Sequence, residues 1–431
     1  MMSQQYYQII EVTDAGPYVT RLLLCMPRPV RAEELDPDGF SVYVELKDRD
    51  GSRLEIPKSF LERDQMVQSC AYRPVKRAFP STMTGEEIPE SRMVTLEMPF
   101  GPAWDCSCAL IADHRNMNGH GRYIVHQYRV TCTGPIGSGE DALWGEIFDR
   151  CAGVLNPMIQ AFQQDVSSDP QHPIRYGYFV PRTLEAPRSL IIYLHGAGEG
   201  GQDLPVAYSG HKVPELTGER VQKLFGGAFV LVPQCDTMWM DDGSGEYGDS
   251  GVSMYTEALR GLIGEFMDRF RCAIDPDRVY IGGDSNGGFM TMRMLMSYPD
   301  LFAGAFPICE AMPDERITDE QIERLRTVPI WFTHAKNDPT VNPETTVVAT
   351  HRRLMAAGAG NCHFTFWDNI VDRHGQIRDA EGEPYEYIGH FAWVPVLNDD
   401  CRLDMDGQPV LLNGQPVTLL EWLAGQKRQH S

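Results

Sequence analysis

A glycine-rich pentapeptide, Gly283–Gly287, constrains the fold of this chain more than any other segment. It reads Gly-Asp-Ser-Asn-Gly, with an apolar strand-like run before it at Arg278–Gly282 and a helical pattern after it at Asn286–Ser297. A serine on such a tight strand-to-helix turn projects from the carboxyl edge of a sheet, beside the positive end of a helix. The segment therefore predicts a nucleophilic serine, Ser285, in an α/β fold. The alternative is a glycine-rich turn without catalysis.

The chain around this pentapeptide alternates apolar runs with amphipathic helical stretches. Apolar runs that are continuous rather than alternating are typical of strands covered on both faces, and hence of a mostly parallel central sheet. Seven such runs are Arg175–Val180, Ser189–Leu194, Ala228–Val232, Val279–Ile281, Gly304–Ile308, Pro329–Thr333 and His363–Trp367.

The first part of the chain has a different pattern of apolar residues. Short runs rich in Val, Tyr, Leu and Thr, with little helical periodicity, indicate an all-β sandwich; they are Tyr18–Met26, Phe40–Leu46, Met93–Met98 and Tyr123–Thr131. Ala142–Gln163 is predicted to be partly helical, and Asp165–Pro173 is a polar, proline-containing connector. At about 100–200 residues per domain, the length suggests two or three domains. We predict a β-sandwich over 1–150, a connector over 151–174 and an α/β domain over 175–431.

Charge and cysteine usage exclude several classes of function. The 431 residues include 60 acidic and 38 basic side chains, a formal charge of −22, and such a surface repels phosphate backbones, so no nucleic-acid partner is expected. No apolar run approaches the roughly 18 residues that a membrane-spanning helix needs. No secretory signal is visible, which predicts a cytoplasmic protein. The 11 cysteines are scattered without zinc-ligand spacing, so we expect free thiols and no metal.

A serine hydroxyl is a weak nucleophile and needs a base oriented by an acid. On this fold the acid follows the serine and precedes the histidine. Asp338 directly follows the predicted strand Pro329–Thr333, at the same sheet edge as Ser285, and is the predicted acid. Its alternative role is a helix cap. Glu310, which follows the strand Gly304–Ile308, is the second candidate for the acid.

Three histidines follow Asp338 and are candidates for the base. His363 begins a predicted strand, which would fix its side chain in the sheet. His374 lies in a polar loop, and His390 lies between Gly389 and an aromatic segment that would exclude water. The residues alone leave the choice between His374 and His390 open.

Two further parts of a hydrolytic site follow predicted strands. The backbone N–H groups of Asn286, Gly196 and Ala197 are the predicted oxyanion hole, because Gly196 and Ala197 begin a glycine-rich loop that lacks the Lys-Ser/Thr pair of a phosphate loop. The segment Cys235–Gly251 is predicted to form part of the substrate pocket through Trp239. The alternative is that Trp239 is buried in the core.

These motifs together carry a resemblance to a known group of enzymes. Residues from about 175 to 431 resemble an α/β-hydrolase serine esterase of the polyhydroxybutyrate-depolymerase-like or prolyl-oligopeptidase-like group. The matching segments are Leu194–Glu199, Gly283–Gly288, Lys336–Pro339 and Gly389–Trp393. The resemblance favours His390 as the base, although Ala392 replaces the serine often found in that context. The N-terminal region resembles, by pattern and order, the immunoglobulin-like domain that precedes the hydrolase in some of these esterases.

The predicted activity is that of a serine carboxylesterase with the triad Ser285, Asp338 and His390. It acts on a small-molecule ester and needs no cofactor. Two alternatives remain at this stage: a peptidase or amidase with the same triad, and a non-catalytic binding protein on a hydrolase scaffold. The β-domain is a candidate for self-association into a homo-oligomer or for shaping substrate access.

Overall fold

The structure is a computed structural model that describes residues 4–57, 65–112, 120–184, 186–245, 250–379 and 381–428. The chain divides into two compact units, Met1–Gln160 and Ala161–Ser431. Each unit has its own apolar core.

The first unit is built from strands. Hydrogen bonds join eight of them into one sheet with the order β4-β3-β9-β10-β1-β2-β6-β5, and β7 and β8 form a separate pair. The strands are β1 Gln4–Thr13, β2 Gly16–Arg31, β3 Phe40–Lys47, β4 Cys70–Arg73, β5 Arg77–Ser81, β6 Glu90–Glu97, β7 Leu110–Ala112, β8 Gly121–Tyr123, β9 Val125–Cys132 and β10 Ile147–Leu155.

Strand β1 lies inside this sheet, between a local and a distant partner. It pairs antiparallel with β2 through a tight turn and parallel with β10. Strand β3 alternates between buried and half-buried residues along its whole length, as expected for a sheet that covers a core on one face. The buried side chains of Tyr6, Val44 and Tyr128 belong to that core.

The second unit contains a mostly parallel eight-stranded sheet with the order β11-β12-β14-β13-β15-β16-β17-β18. Strands β13 to β18 run parallel, and β12 joins this part antiparallel to β14. The strands are β11 Gln163–Val166, β12 Arg175–Phe179, β13 Arg188–Leu194, β14 Ala228–Gln234, β15 Ile274–Asp284, β16 Gly304–Ile308, β17 Ile330–Ala335 and β18 Cys362–Trp367.

Helices and two small hairpins complete this unit. The hairpins pair β19 Ile370–Val371 with β20 Glu386–Tyr387, and β21 Leu411–Leu412 with β22 Gln415–Pro416. The helices are α1 Leu204–Ser209, α2 Glu219–Leu224, α3 Thr256–Arg269, α4 Asn286–Ser297, α5 Asp319–Leu325, α6 Val347–Ala356, α7 Trp393–Leu397 and α8 Leu419–Gly425. No helix within the described ranges is long and apolar enough to cross a membrane.

The prediction of partial helix over Ala142–Gln163 is wrong. That stretch contains β10, whose pairing with β1 and β9 gives an extended conformation to a segment with no clear alternation. Tertiary pairing overrides weak local preference in such strands. The predicted connector, 151–174, contains the end of β10 and all of β11.

Candidate active site

The turn that carries Ser285 has an unusual backbone conformation. Ser285 lies between β15 and α4 with φ 53° and ψ −113°, in a region that residues with a side chain rarely adopt. Its N–H donates to the carbonyl of Ile308 on β16 at 2.9 Å, and its carbonyl accepts from Phe289 in the next helical turn at 2.9 Å. Strained residues of this kind occur at functional sites, where the surrounding structure holds them in place.

Close packing of this turn explains its glycines. A Cβ atom on Gly287 would lie 2.0 Å from the carbonyl oxygen of Leu194, and one on Gly283 would lie 2.3 Å from the same oxygen. Leu194 is the last residue of β13 and pairs with Gly283 in register. Because backbone meets backbone here, no residue larger than glycine fits at either position. The start of α4 is thereby held against the loop that follows β13.

The structure brings Ser285, His390 and Asp338 together in one hydrogen-bonded chain. The Nε2 atom of His390 lies 2.9 Å from the Oγ of Ser285, and its Nδ1 lies 2.7 Å from the Oδ2 of Asp338. Asp338 follows β17, and His390 precedes α7. The side chain of His390 is about one-seventh exposed, at 14%. With Nδ1 protonated and facing the carboxylate, Nε2 is free to accept the serine proton.

Asp338 accepts hydrogen bonds at both carboxylate oxygens. Its Oδ1 accepts from the N–H groups of Thr340 and Val341, at 2.8 and 3.1 Å. Its Oδ2 accepts from His390 and also from the Nε2 of His334, at 3.0 Å. Burial alone would raise the pKa of Asp338, but the hydrogen bonds from His334 and His390 lower it well below its usual range. The carboxylate is therefore ionised and fixed in orientation.

His334 is a residue that the sequence analysis missed. It lies four residues before Asp338 on β17 and is completely buried. Its only sequence signal is this spacing, which places it at the end of the strand from which the Asp338 turn departs.

The predicted oxyanion donors lie on the two loops that meet at this point. Ala197 begins a short 3₁₀ helix, Ala197–Glu199, directly after Gly196, and Asn286 is the first residue of α4. Backbone N–H groups in the first turn of a helix lack an intrahelical acceptor. The side-chain oxygen of Asn286 accepts from the backbone N–H of Trp239 at 2.6 Å, which ties the loop after β14 to the serine turn.

The prediction that Trp239 contacts substrate is wrong for this structure. Its side chain is completely buried and belongs to the apolar core of the second unit. The indole packs against the rings of His195 and Tyr255, with centroids 5.1 and 5.8 Å away. A tryptophan in an apolar segment is compatible with a substrate pocket and with a core. The sequence therefore did not distinguish these two locations for Trp239.

The other candidates for base and acid have different surroundings. His374 pairs with Asp400 at 3.0 Å, and His363 pairs with Asp404 at 2.8 Å. The carboxyl of Glu310 is buried, accepts from the N–H of Met312 and has a pKa raised by burial to about 8. Among the described residues, no group of three or more His, Cys, Asp or Glu side chains could hold a metal ion.

Aromatic side chains flank His390. The ring of Phe391 packs on that of Trp393 at 4.3 Å and on that of Tyr387 at 5.9 Å. Ile388, two residues before His390, is 57% exposed. Aromatic side chains and an exposed apolar side chain thus adjoin His390 along the chain, while Ser285 itself is half-buried. Ser285 is therefore partly exposed.

Two family models match most of the chain. Residues 5–145 match the family described as the esterase Ig-like N-terminal domain, and residues 178–370 match the family described as phospholipase/carboxylesterase. The second match includes Ser285 and Asp338 and ends before His390.

Curated relatives match shorter segments. A poly(3-hydroxyalkanoate) depolymerase C from Paucimonas lemoignei is 61% identical over 139 residues, 30% of this chain and 29% of that protein. A feruloyl esterase B from Neurospora crassa is 30% identical over 139 residues, 31% of this chain and 42% of that protein. A poly(3-hydroxybutyrate) depolymerase from Ralstonia pickettii is 29% identical over 141 residues, 30% of this chain and 27% of that protein. The chain thus spans less than half the length of these relatives.

A solved structure, of a thermostable esterase, matches almost the whole chain. It covers 98% of this chain and 99% of its own, with a TM-score of 0.74 and 22% sequence identity, which establishes the shared fold. The parallel sheet and the strand-turn-helix at Ser285 define an α/β-hydrolase. The two family matches go further: in this chain an esterase Ig-like N-terminal domain precedes a phospholipase/carboxylesterase domain.

Proposed function

We propose that this protein is a serine carboxylesterase that hydrolyses esters through an acyl-enzyme intermediate. The observation that carries the proposal is the hydrogen-bonded chain from the Ser285 hydroxyl through the His390 imidazole to the Asp338 carboxylate. Its distances and order match what nucleophilic catalysis by serine requires. No cofactor takes part in this chemistry.

In the first half-reaction, the Oγ of Ser285 forms a bond to the ester carbonyl carbon while His390 Nε2 takes the hydroxyl proton. His390 then gives this proton to the alkoxide oxygen as the bond to the leaving alcohol breaks. In the second half, His390 takes a proton from water, whose oxygen attacks the acyl carbon, and returns the proton to Ser285 as the acid leaves. Asp338 remains ionised throughout and stabilises the imidazolium.

The negative charge on the carbonyl oxygen needs donors that are already in place. We assign this role to the backbone N–H groups of Ala197 and Asn286, with Gly196 shaping the loop. The packing of Gly283 and Gly287 on Leu194 supports this assignment, because it holds the two donor loops at a fixed separation. The partial positive charge at the start of α4 adds to the stabilisation.

The surroundings of His390 favour an ester with an apolar acyl or aryl group. Phe391 and the exposed Ile388 both lie within two residues of His390, whose imidazole contacts the half-buried serine. The similar proteins named as depolymerases and as a feruloyl esterase act, by those names, on polyesters and on feruloyl esters. We extend to this chain only the shared chemistry, a carboxylic ester of a small molecule or of an exposed chain end.

A fluorophosphonate probe tests this proposal directly. The wild-type protein should be labelled on Ser285 and should hydrolyse nitrophenyl esters far faster than the matching aminoacyl anilides. Comparable rates on anilides would favour the peptidase or amidase. Absence of both labelling and hydrolysis would favour a non-catalytic binding protein.

For the β-domain we propose self-association. Among the described residues, β4 is the strand at one end of the eight-stranded sheet, and an edge strand can pair its backbone with a second copy of the chain. Tyr72 on β4 is 72% exposed and packs on Tyr43 of β3 with ring centroids 5.2 Å apart. Light scattering should give an oligomeric mass for the full chain and a monomeric mass for Tyr72→Lys. A monomeric wild type would reject the proposal.

We propose a cytoplasmic location on the basis of the thiols. All eleven cysteines are free in the structure, and six of them are buried. Free thiols persist in reducing compartments. Alkylation of the protein taken directly from its native cells should modify cysteines without prior reduction, and a disulfide found by mass spectrometry would contradict this location.

A further inference from the structure

A second group of ionisable side chains lies buried directly beside the serine turn. Asp284, the residue before Ser285, is completely buried, and its Oδ1 lies 3.1 Å from the Nδ1 of His211. The other ring nitrogen of His211 lies 3.8 Å from the Oε1 of Glu199. One imidazole thus stands between two carboxyl groups. The proposed reaction uses none of the three.

This group supports the loop that holds the proposed oxyanion donors. A Cβ atom on Gly196 would lie 2.7 Å from the Oδ2 of Asp284, 2.9 Å from the Oε2 of Glu199 and 3.3 Å from the Cε1 of His211. The backbone of Gly196 therefore packs closely against all three side chains. Any change in their spacing moves the peptide that precedes Ala197.

The same imidazole also contacts the loop that carries the base. Its ring lies 4.0 Å from the ring of Trp393, and Trp393 follows His390 by three residues. The rings of Trp393 and His390 are themselves 6.3 Å apart. His211 is therefore the one side chain in this group that touches the serine turn through Asp284, the oxyanion loop through Glu199 and the His390 loop through Trp393.

The charge states of the group follow from its contacts. Burial alone would lower the pKa of His211, but the charges of Asp284 and Glu199 raise it to about 9. Burial would raise the pKa of Asp284, but the charge of His211 and the hydrogen bonds that Asp284 accepts from His211 and Tyr193 lower it. Burial raises the pKa of Glu199. At neutral pH, His211 is an imidazolium that compensates the negative charge next to Ser285.

We propose that His211 is a positioning residue: as an imidazolium it holds the serine turn, the oxyanion loop and the His390 loop together, and hydrolysis slows when it loses its proton. The inference rests on the proposed esterase function. Without the positive charge, two buried carboxyl groups face each other beneath Gly196, and an anion at Asp284 opposes the charge that develops on the substrate oxygen. The effect should fall on kcat, because the oxyanion forms only in the transition state.

Other titratable groups surround Asp284 or adjoin His211 in the chain. Tyr193 of β13 donates to the Oδ1 of Asp284 at 2.8 Å, and burial raises the pKa of its hydroxyl well above the usual value. Burial does the same to the thiol of Cys309, which follows β16. Lys212, the neighbour of His211, directs its ammonium to the Oδ1 of Asn398 at 2.8 Å. His390 is a further charged neighbour of Asp284 and Glu199.

The test is a pH profile of kcat and KM on a soluble nitrophenyl ester from pH 6 to 10.5, corrected for spontaneous hydrolysis. Four proteins are compared: wild type, His211→Gln, Glu199→Gln and His363→Gln. His363→Gln is the matched control, because it removes a half-buried imidazole that is paired with a carboxylate, Asp404, outside the site. Circular dichroism at each pH separates loss of activity from unfolding.

The wild type should lose kcat as pH rises through about 9, with KM little changed. His211→Gln should be roughly tenfold slower at pH 8 and should lack this alkaline decline. Glu199→Gln should keep the decline but shift it to lower pH, because one of the charges that stabilise the imidazolium is gone. His363→Gln should keep the wild-type profile. A flat wild-type profile, or an unchanged decline in His211→Gln, would overturn the inference.

A second measurement keeps the inference testable if His211→Gln does not fold. Nitrogen-15 histidine spectra of the wild type should contain one imidazole that titrates between pH 8 and 10, and its titration should move in Glu199→Gln. Absence of such an imidazole rejects the inference while ester hydrolysis persists. A wild type that neither hydrolyses esters nor reacts with a fluorophosphonate would instead reject the proposed function, whatever the spectra contain.

Discussion

Each unit of this protein buries a charged group, and the two groups are satisfied in different ways. In the first unit, Arg73 donates to the carbonyls of Val19 and Pro99 at 2.9 and 2.7 Å and to the hydroxyl of Tyr128 at 2.5 Å. In the second unit, the imidazole of His211 lies between two carboxyl groups. The first arrangement surrounds a cation with neutral dipoles, and the second surrounds it with acids.

The difference appears in the pH range over which each group changes charge. An arginine remains protonated at any pH at which the protein is folded. His126, stacked on Tyr128, has its pKa lowered by burial to about 3, so it is neutral. In the second unit, the pKa of His211 is raised to about 9 and burial raises that of Glu310 to about 8. The buried imidazole and the buried carboxyl of the second unit therefore change charge close to neutral pH.

The comparison predicts that side chains of the second unit control rate and that those of the first control stability. The largest effect is expected for Ser285→Ala, which removes the nucleophile and should lower kcat by about 10⁴–10⁶-fold. The melting temperature should not fall. Alanine relieves the strained conformation at this position only in part, so the gain in stability ranges from none to a small increase. Ser297→Ala, at the other end of the same helix, is the control. Near-normal hydrolysis by pure Ser285→Ala would end the serine-hydrolase proposal.

The next largest effect is expected for the acid. Asp338→Asn cannot accept equally well from two imidazoles and leaves His390 in the wrong tautomer, so kcat should fall by roughly 10²–10⁴-fold. Glu310→Gln should be nearly normal at pH 7, where the Glu310 carboxyl is already protonated. Steady-state kinetics on one ester compares the two. A severe loss in Glu310→Gln with a mild one in Asp338→Asn would show that the acid is wrongly assigned.

Removal of the buried cation of the first unit should affect stability alone. Arg73→Met leaves two carbonyls and a hydroxyl without their donor, which should destabilise the first unit by about 2–4 kcal/mol. Calorimetry should show the loss as a lower melting temperature of one transition. Below that transition, kcat/KM should equal that of the wild type. Arg77→Met removes exposed ion pairs to Glu87 and Glu97 and should cost less than about 1 kcal/mol.

A pH-dependent effect on stability is expected at Glu310. Its folded pKa is raised to about 8 from an ordinary value of 4.5, so the folded state holds a proton that the unfolded state releases. Stability from this group is present below pH 4.5 and declines as pH rises to about 8. Glu310→Gln should therefore gain melting temperature relative to wild type between pH 5 and 8. If the melting temperatures of the two proteins differ by a constant amount from pH 5 to 8, the assigned burial and protonation of Glu310 are wrong.

The α/β part of the fold followed closely from the sequence because its strands are fully buried. Continuous apolar runs such as Ser189–Leu194 and Gly304–Ile308 have few alternatives, and β13 and β16 lie where they were predicted. The first unit was harder. Strand β10 has mostly exposed or half-buried residues and shows no clear alternation, so only its distant pairing with β1 identifies it as a strand.

The candidate site shows the same difference between residues with a local sequence signal and residues that only the fold brings together. The pentapeptide around Ser285 carries its own geometry, because its glycines are required wherever a serine turn packs on a neighbouring strand. The contacts of His211 and His334 do not follow from a local sequence pattern of this kind. Both residues lie far in sequence from Ser285 and are joined to it only by the fold, so no local pattern distinguishes them from ordinary buried histidines.

The position of β1 has a consequence for how the chain is made. As a nascent polypeptide leaves the ribosome, β1 and β2 can form a hairpin early, but the other side of β1 has no partner until β10 has been synthesised. Until then an apolar strand with an open edge is exposed to other chains. Pairing across such a sequence separation is slow. A translational pause just after residue 155 has cleared the ribosome tunnel should therefore raise the yield of native protein, and removal of such a pause should increase aggregation during synthesis.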